Sequence, residues 1–368
     1  MTSTLSTPQR GDFLFRPLYT VVSCAHLPAR DLRAALTEVA GTVPQARSII
    51  GVDLGGTKLA VALVDDTLGV IAKTVGPSAT ESAEACLDDL YRRLDEAVVE
   101  YGPIDAIGVG TASMINFRAG KIVLSTNLPL RDVPLRDLLR ERYGVPAVID
   151  NDANVACLAE FRYGAGVGTT EMVMLTLGTG IGGGIIANGQ LYRGFSGAAG
   201  ELGHMTIEAD GPRCQGACPN YGCLEVYASG EAMGRLARDE ARALPESSLG
   251  QALASGEVVD GPLLSKLALD GDLGAIAVLH DVGRRLGIGI ANIVNIFNPE
   301  LVVIGGGAAQ AGDILLDPAR EVVAERAMYP ERDEVRIVPA QHGQDAGVLG
   351  AAALAIIELF PEQGGPRR

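Results

Sequence analysis

Within "ELGHMTIEADGPRCQGACPNYGCLE", His204, Cys214, Cys218 and Cys223 fall inside twenty residues. One imidazole and three thiolates form a closed tetrahedral zinc set, with no position left open for a reacting water. The competing reading is free buried thiols beside a hydrogen-bonded histidine, and the density of the cluster argues against it. Loop 204–223 has little apolar support of its own, so a metal would supply what burial does not. A histidine bound through one ring nitrogen can present the other to a ligand hydroxyl.

A second chemistry is phosphate binding. "VDLGGTKLAVALVDD" and "LTLGTGIGGGIIANG" each read as an apolar strand, a Gly/Thr turn, an apolar strand and a polar turn. No Walker string occurs. Gly178, Gly180 and Gly183 do satisfy G-x-G-x-x-G, but strand and turn residues follow them where a dinucleotide fingerprint requires a helix. The alternative is a hairpin whose bare tip lets backbone N–H groups close on phosphate oxygens. Gly55, Gly56, Thr57 and Lys58 form one such tip. Gly178, Thr179 and Gly180 form another, with Thr176 as a further hydroxyl donor. Gly305, Gly306 and Gly307 in "ELVVIGGGAAQAGD" add a third cluster. A single Gly-Gly hairpin would be merely a tight turn; two Gly/Thr hairpins in corresponding halves, with a third glycine cluster, point to a two-hairpin nucleotide clamp. Asp53, just before the first tip, is placed to hold Mg²⁺ through water.

The third candidate is an acid. In "VIDNDANVACLAE", Asp150, Asn151 and Asp152 stand between a strand and a helix. An acid there is commonly an N-cap. The same position also suits a reacting group, since ligands gather beyond the carboxyl ends of strands and a helix N-terminus keeps a carboxylate ionised. Such a carboxylate can accept a hydroxyl proton and aim the oxygen at phosphorus, in a reaction where positioning and charge stabilisation dominate.

The elements that must position these groups follow from pattern. Ile49–Asp53, Leu59–Val64 and Val70–Thr74 read as strands. A helix presents Leu87, Leu90, Leu94 and Val98 on one face, and another runs from about Ala153 to Tyr163. The two Gly/Thr hairpins suggest a duplicated unit. Residues 1–47 carry five Arg against two Asp and one Glu, with one helix candidate at 29–40; Pro44 fits poorly where a second DNA-reading helix would be needed. The 368 residues allow two domains, and 47% hydrophobic with 20% charged residues describes a packed globule. The net charge of −15 disfavours a duplex nucleic-acid partner. Three scattered and three clustered cysteines suit a reducing, cytoplasmic setting. Gly274–Phe297 is the most apolar long stretch, but Asp281, Arg284 and Arg285 make it a buried helix with no membrane span expected. "YTVVSCA" looks like a lipoprotein cleavage site, yet Arg16 and Pro17 leave it no apolar core.

Together, "DLGGTK", "STNLPLRDVPLRDLL", "IDNDANVACLAE", "LGTGIGGGI", "GAAGELGHM", "GCLEVYASG" and "IGGG" resemble the ROK family of sugar kinases and related repressors, over roughly Ile49 to Ala355. The resemblance implies an α/β, two-domain actin-like ATPase (ribonuclease H-like) fold with an interdomain cleft. Residues 48–150 plus 346–360 would form the smaller domain and 151–345 the larger, with 1–47 as an extension. It further implies Asp152 as catalytic base, and Asn127, Asn151, Glu201, His204 and Glu225 around a neutral polyol, leaving Asp150 as the cap or simply a polar residue. Two departures stand out. The family's usual Cys-x-Cys-x4-Cys is here Cys-x3-Cys-x4-Cys, which leaves the part of Cys214 open. A Pro-Gly turn after the strand at 106–110 is replaced by Thr111 to Met114, which brings a modified hexose, an acetylamino sugar or a cyclitol into view. The expected activity is ATP- and Mg²⁺-dependent phosphorylation of the primary hydroxyl of a glucose-like hexose, with structural zinc and a dimeric or tetrameric assembly. The alternative is a sugar-responsive repressor.

Overall fold

The computed structural model describes residues 47–361 apart from 217 and 329; the helix candidate at 29–40 and Cys24 lie outside the described residues. The first half runs β1 (Ile49–Leu54), β2 (Lys58–Val64), β3 (Val70–Pro77), α1 (Ala83–Tyr101), β4 (Ala106–Thr111), β5 (Ser113–Asn116), β6 (Lys121–Ser125), β7 (Arg131–Val133), α2 (Leu135–Tyr143), β8 (Ala147–Asn151) and α3 (Asp152–Tyr163). The second runs β9 (Met172–Leu177), β10 (Ile181–Ala187), β11 (Gln190–Leu191), α4 (Glu225–Ala228), α5 (Gly230–Ala243), α6 (Ser248–Ala254), α7 (Gly261–Leu269), α8 (Leu273–Phe297), β12 (Leu301–Gly305), α9 (Asp313–Arg326), α10 (Glu331–Glu334), β13 (Arg336–Pro339) and α11 (Ala346–Leu359).

Two five-stranded sheets result, ordered β3-β2-β1-β4-β8 and β11-β10-β9-β12-β13. Each starts with an antiparallel hairpin, β1/β2 or β9/β10, and continues through two parallel pairings. The repeat glimpsed in two short motifs therefore extends to whole sheets. Central strands β1, β4 and β12 are apolar and buried almost throughout, as strands covered on both faces must be. Edge strand β3 is largely exposed and carries Lys73, a charge that discourages strand addition.

Local signals explain the helices. Ser82 caps α1 by accepting from the Ala85 N–H at 3.1 Å, Leu90 and Leu94 are buried, and Gly102 ends the helix at φ 88°. Helix α8 buries Leu279, Val282, Leu286 and Ile290 on one side while Arg284 and Asp281 face solvent. No helix among the described residues is long and apolar enough to cross a membrane.

Helix α11 is apolar nearly all round, α3 is buried along Ala153–Phe161, and the two share one core cluster with residues of both sheets. Helix α11 lies against β1 and β4 so closely that a Cβ on Gly51 would sit 2.1 Å from the Val348 carbonyl oxygen, and one on Gly108 1.8 Å from that of Ala351. Fully buried Glu160, on α3, ties the segment leading into α11. Its carboxylate accepts N–H bonds from Gln341 (2.9 Å), His342 (2.8 Å) and Ala165 (3.0 Å). Glu160→Ala would orphan all three donors and is expected to cost about 3–5 kcal/mol in urea denaturation, whereas Glu160→Gln, which retains acceptor capacity at one oxygen, should cost less.

Candidate functional site

Strands β1, β4 and β8 lie parallel and in register, Asp53 opposite Gly110 and Gly110 opposite Asp150. Their carboxyl ends thus present Asp53, Thr111 and the Asn151–Asp152 pair on one rim. The strand–helix junction differs from expectation in one respect. Asn151, not Asp150, caps α3, its Oδ1 accepting from the N–H groups of Ala153 (2.9 Å) and Asn154 (3.3 Å). Asp150 is instead buried and ion-paired to Arg193 at 2.6 Å.

Asp152 begins the helix and accepts from the Ala153 N–H at 3.0 Å. Burial, then the like charges of Asp53 and Glu201, push its carboxyl up to about 6, while backbone N–H groups pull the other way. Burial raises the Asp53 carboxyl as well, against the opposing charge of Lys58, whose Nζ lies 3.6 Å from Asp53 Oδ2. Two buried carboxylates on one rim, both held above the usual carboxylate range, form a site that a divalent cation would relieve.

The first glycine tip closes with the Gly55 N–H donating to the Lys58 carbonyl at 3.0 Å and is braced by Ser78, whose Oγ donates to the Gly55 carbonyl at 2.6 Å. Gly56 is obligatory, since a Cβ there would lie 2.7 Å from Asn127. Thr57 and Lys58 are exposed. At the second tip, Gly178 and Thr179 are exposed and Gly180 packs on Glu225, whose Oε2 accepts from the Ile181 N–H at 2.8 Å. The third cluster adjoins it: Gly305 pairs with Thr176, and Gly306, at φ 86°, approaches the Leu177 carbonyl so closely that a Cβ would lie 2.4 Å away. The second and third clusters therefore form one bare, N–H-rich surface.

Of the polyol candidates, Asn151 and Glu201 line one cavity with Ser113, Met114, Ile115, Gly182, Gly183 and residues 197–200. His204 reaches it through Glu201, with 3.9 Å from Nε2 to Oε2. Asn127 lies apart, exposed against the first tip, and Glu225 is buried beneath the second. Sequence reasoning missed Ser78 and Arg193, because both act on residues more than twenty positions away.

The ligand atoms of His204, Cys214, Cys218 and Cys223 all lie within 4.8 Å of one another, so that small side-chain shifts would bring all four to about 2.0–2.3 Å from a shared zinc. His204 Nδ1 faces this cluster, 3.4 Å from Cys214 Sγ, and Nε2 faces Glu201. Cys214 reaches the cluster despite its shifted spacing because the loop doubles back, the Cys214 N–H donating to the Asn220 carbonyl at 2.8 Å and Arg213 bridging Tyr221.

The profile described as "ROK family" matches residues 49–358. The chain is 36% identical to a glucokinase of Streptomyces coelicolor over 83% of its own length and 96% of the relative's. It is 35% identical to a putative xylose repressor of a Caldicellulosiruptor species, covering 85% of this chain and 80% of the repressor. Among solved structures, a ROK family glucokinase from Streptomyces griseus in complex with glucose and AMPPNP superposes with a TM-score of 0.75 at 35% identity, covering 83% of this chain and 98% of that one.

Proposed function

Because the chain belongs to the ROK family, we infer that it is an ATP-dependent sugar kinase of the hexokinase type, transferring the γ-phosphoryl group of ATP to the primary hydroxyl of a glucose-like hexose. The fold is the actin-like ATPase fold, each of its two sheets being the core of one α/β lobe. We assign residues 48–150 plus 346–360 to the smaller lobe and 151–345 to the larger. The observation that carries the reading is Asp152, a carboxylate at a helix start on the strand-end rim that it shares with Asp53, near enough to Asp53 and Glu201 to feel their charge.

In this reading Asp152 takes the proton of the acceptor hydroxyl as its oxygen attacks phosphorus. Asn151 and Glu201 bind other hydroxyls from the cavity with His204 behind Glu201, and Asn127 and Glu225, set outside it at the two glycine tips, are assigned to the sugar by the family resemblance. Backbone N–H groups of Gly56 and Thr57 on one side, with Lys58, and of Thr179, Gly180 and Gly305–Gly307 on the other, hold the phosphates, while the N–H groups of Gly55 and Gly178 close the two tips on the carbonyls of Lys58 and Gly180. Asp53 would hold Mg²⁺ through water, and the ion would neutralise charge on the phosphates. His204, Cys214, Cys218 and Cys223 would hold a structural zinc that fixes the His204 ring. We place the enzyme in the cytoplasm as a homo-oligomer, acting on a small polyol with neither nucleic acid nor membrane as partner.

Met114, half exposed on the cavity wall where the family usually has a Pro-Gly turn, supports a second reading of the acceptor as a modified sugar or cyclitol. ADP release measured across hexoses, N-acetylated amino sugars and cyclitols separates the two. Glucose is expected to give the highest kcat/KM; a cyclitol exceeding it by more than about tenfold, a difference of about 1.4 kcal/mol, would favour the second. No ADP release on any acceptor, together with tight operator binding, would make the protein a repressor.

A further inference from the structure

Arg193 leads from β11 into the loop that ends at Glu201, and its guanidinium is held on three sides. Nε donates to Asp150 Oδ2 at 2.6 Å, Nη2 donates to Glu358 Oε1 at 2.8 Å, and the guanidinium carbon lies 3.6 Å from the centroid of the Phe117 ring. The Arg193 side chain is 17% exposed and that of Asp150 2%. Four separate segments thus meet at one residue: the loop after β11, the end of β8, the end of α11, and the β5–β6 turn. Only a planar fork can serve two carboxylates and stack on a ring at once; a lysine ammonium cannot.

The contacts continue on both sides of this clamp. Asp150 Oδ1 accepts from the Asn151 N–H at 2.8 Å and from Asn154 Nδ2 at 2.9 Å, so Asp150 grips the turn from which Asp152 projects. The Arg193 carbonyl accepts from the Ala199 N–H at 3.2 Å. That bond closes the loop whose remainder, up to Glu201, lines the cavity opposite Asn151.

We propose that Arg193 is a positioning residue for phosphoryl transfer, its fork holding Asp150, and through Asp150 the Asn151–Asp152 turn, in register with the loop that carries Glu201. The inference rests on the reading of Asp152 as base. A buried ion pair adds little net stability compared with an apolar replacement, whereas a 1 Å misplacement of a reacting group costs about a hundredfold in rate. Positioning is therefore the larger effect of this pair.

The test is ADP release by wild type, Arg193→Lys, Arg193→Met, the double variant Asp150→Asn/Arg193→Met, and Asp152→Asn, with thermal midpoints recorded for each. Arg193→Met is expected to lower kcat by about 30–100-fold while the KM values for ATP and sugar stay within about threefold. Arg193→Lys, which keeps charge without the fork, should recover part of that loss. The double variant removes the unpaired buried carboxylate, so it should regain the thermal midpoint without regaining kcat. Wild-type kcat in the double variant, or losses in Arg193→Met that track the folded fraction, would overturn the proposal. Asp152→Asn separates the two levels. Full activity there would remove the base assignment itself, whereas an inactive Asp152→Asn beside a fully active Arg193→Met would remove only the role of Arg193.

Discussion

Asp152→Asn is expected to lower kcat by about 10²–10⁴-fold while leaving the KM for ATP nearly unchanged. Asparagine has the same shape and keeps an oxygen for the Ala153 N–H, but it cannot accept the proton of an attacking hydroxyl. The wild-type pH profile gives an independent check. With the Asp152 carboxyl raised to about 6, a base that must be ionised loses activity as pH falls through that value. The acid limb of kcat/KM should therefore sit near pH 6, and be absent from the residual activity of the variant. Bound magnesium would stabilise the ionised form and draw the limb lower in kcat than in kcat/KM. A profile flat down to pH 4.5 with an unimpaired Asn variant would dismiss Asp152 as base.

The same shift has a consequence for stability. The carboxyl titrates near 3.8 when unfolded and about 6 when folded, so protonation favours the folded state. The folded state is relieved of this ionisation cost below about pH 4 and bears it fully above about pH 6. The asparagine variant should consequently unfold at a higher temperature than wild type at pH 8, by an amount equivalent to about 1–2 kcal/mol once partial solvent access is allowed for. The gain should vanish near pH 4. Such a variant would be more stable and nearly inactive, the signature of an acid held ionised against its surroundings.

Much of this site could be read before any coordinates, because its parts are local. A hairpin tip is specified by glycines between two apolar runs, and both tips formed where the pattern placed them. The histidine–cysteine cluster is likewise one loop, although bringing Cys214 into it needed the turn-back at Asn220, which spacing alone does not encode. The Asp150–Asn151 assignment went the other way. Two adjacent polar residues at a strand–helix junction are equal cap candidates by type, and the choice is made by Arg193, forty-three residues on, which claims the aspartate. Glu160 is similar: a carboxylate amid apolar helix residues is explained only by three distant N–H groups. The sheet duplication was visible only in the hairpins, since the matching strands β4 and β12 share topology more than wording.

Zinc removal is expected to have the second large effect. Purified protein should contain one zinc per chain, and Cys214→Ser should reduce that content and weaken retention against a chelator by more than tenfold, with the stability of the loop falling alongside. The local core beneath the loop amounts to Cys214, Cys223 and Val226, with Cys218 and Tyr227 at its edge. Three of those five residues are the proposed ligands themselves, so little apolar burial remains once their cation is gone. Four mutually close donors without an ion would also bring buried thiols together, and burial already holds Cys214 and Cys223 above the usual thiol range. The damage should spread in two directions. His204 would lose the constraint that turns Nε2 toward Glu201. Glu225, two residues beyond Cys223, would lose its fixed place under the second glycine tip, where it accepts the Ile181 N–H. Chelation should therefore raise KM for both sugar and ATP, which loss of one hydroxyl contact could not do, and lower activity by about 10–100-fold. Activity and thermal midpoint unchanged in metal-free protein would show that the loop holds itself, leaving the four residues a cluster of thiols around a histidine.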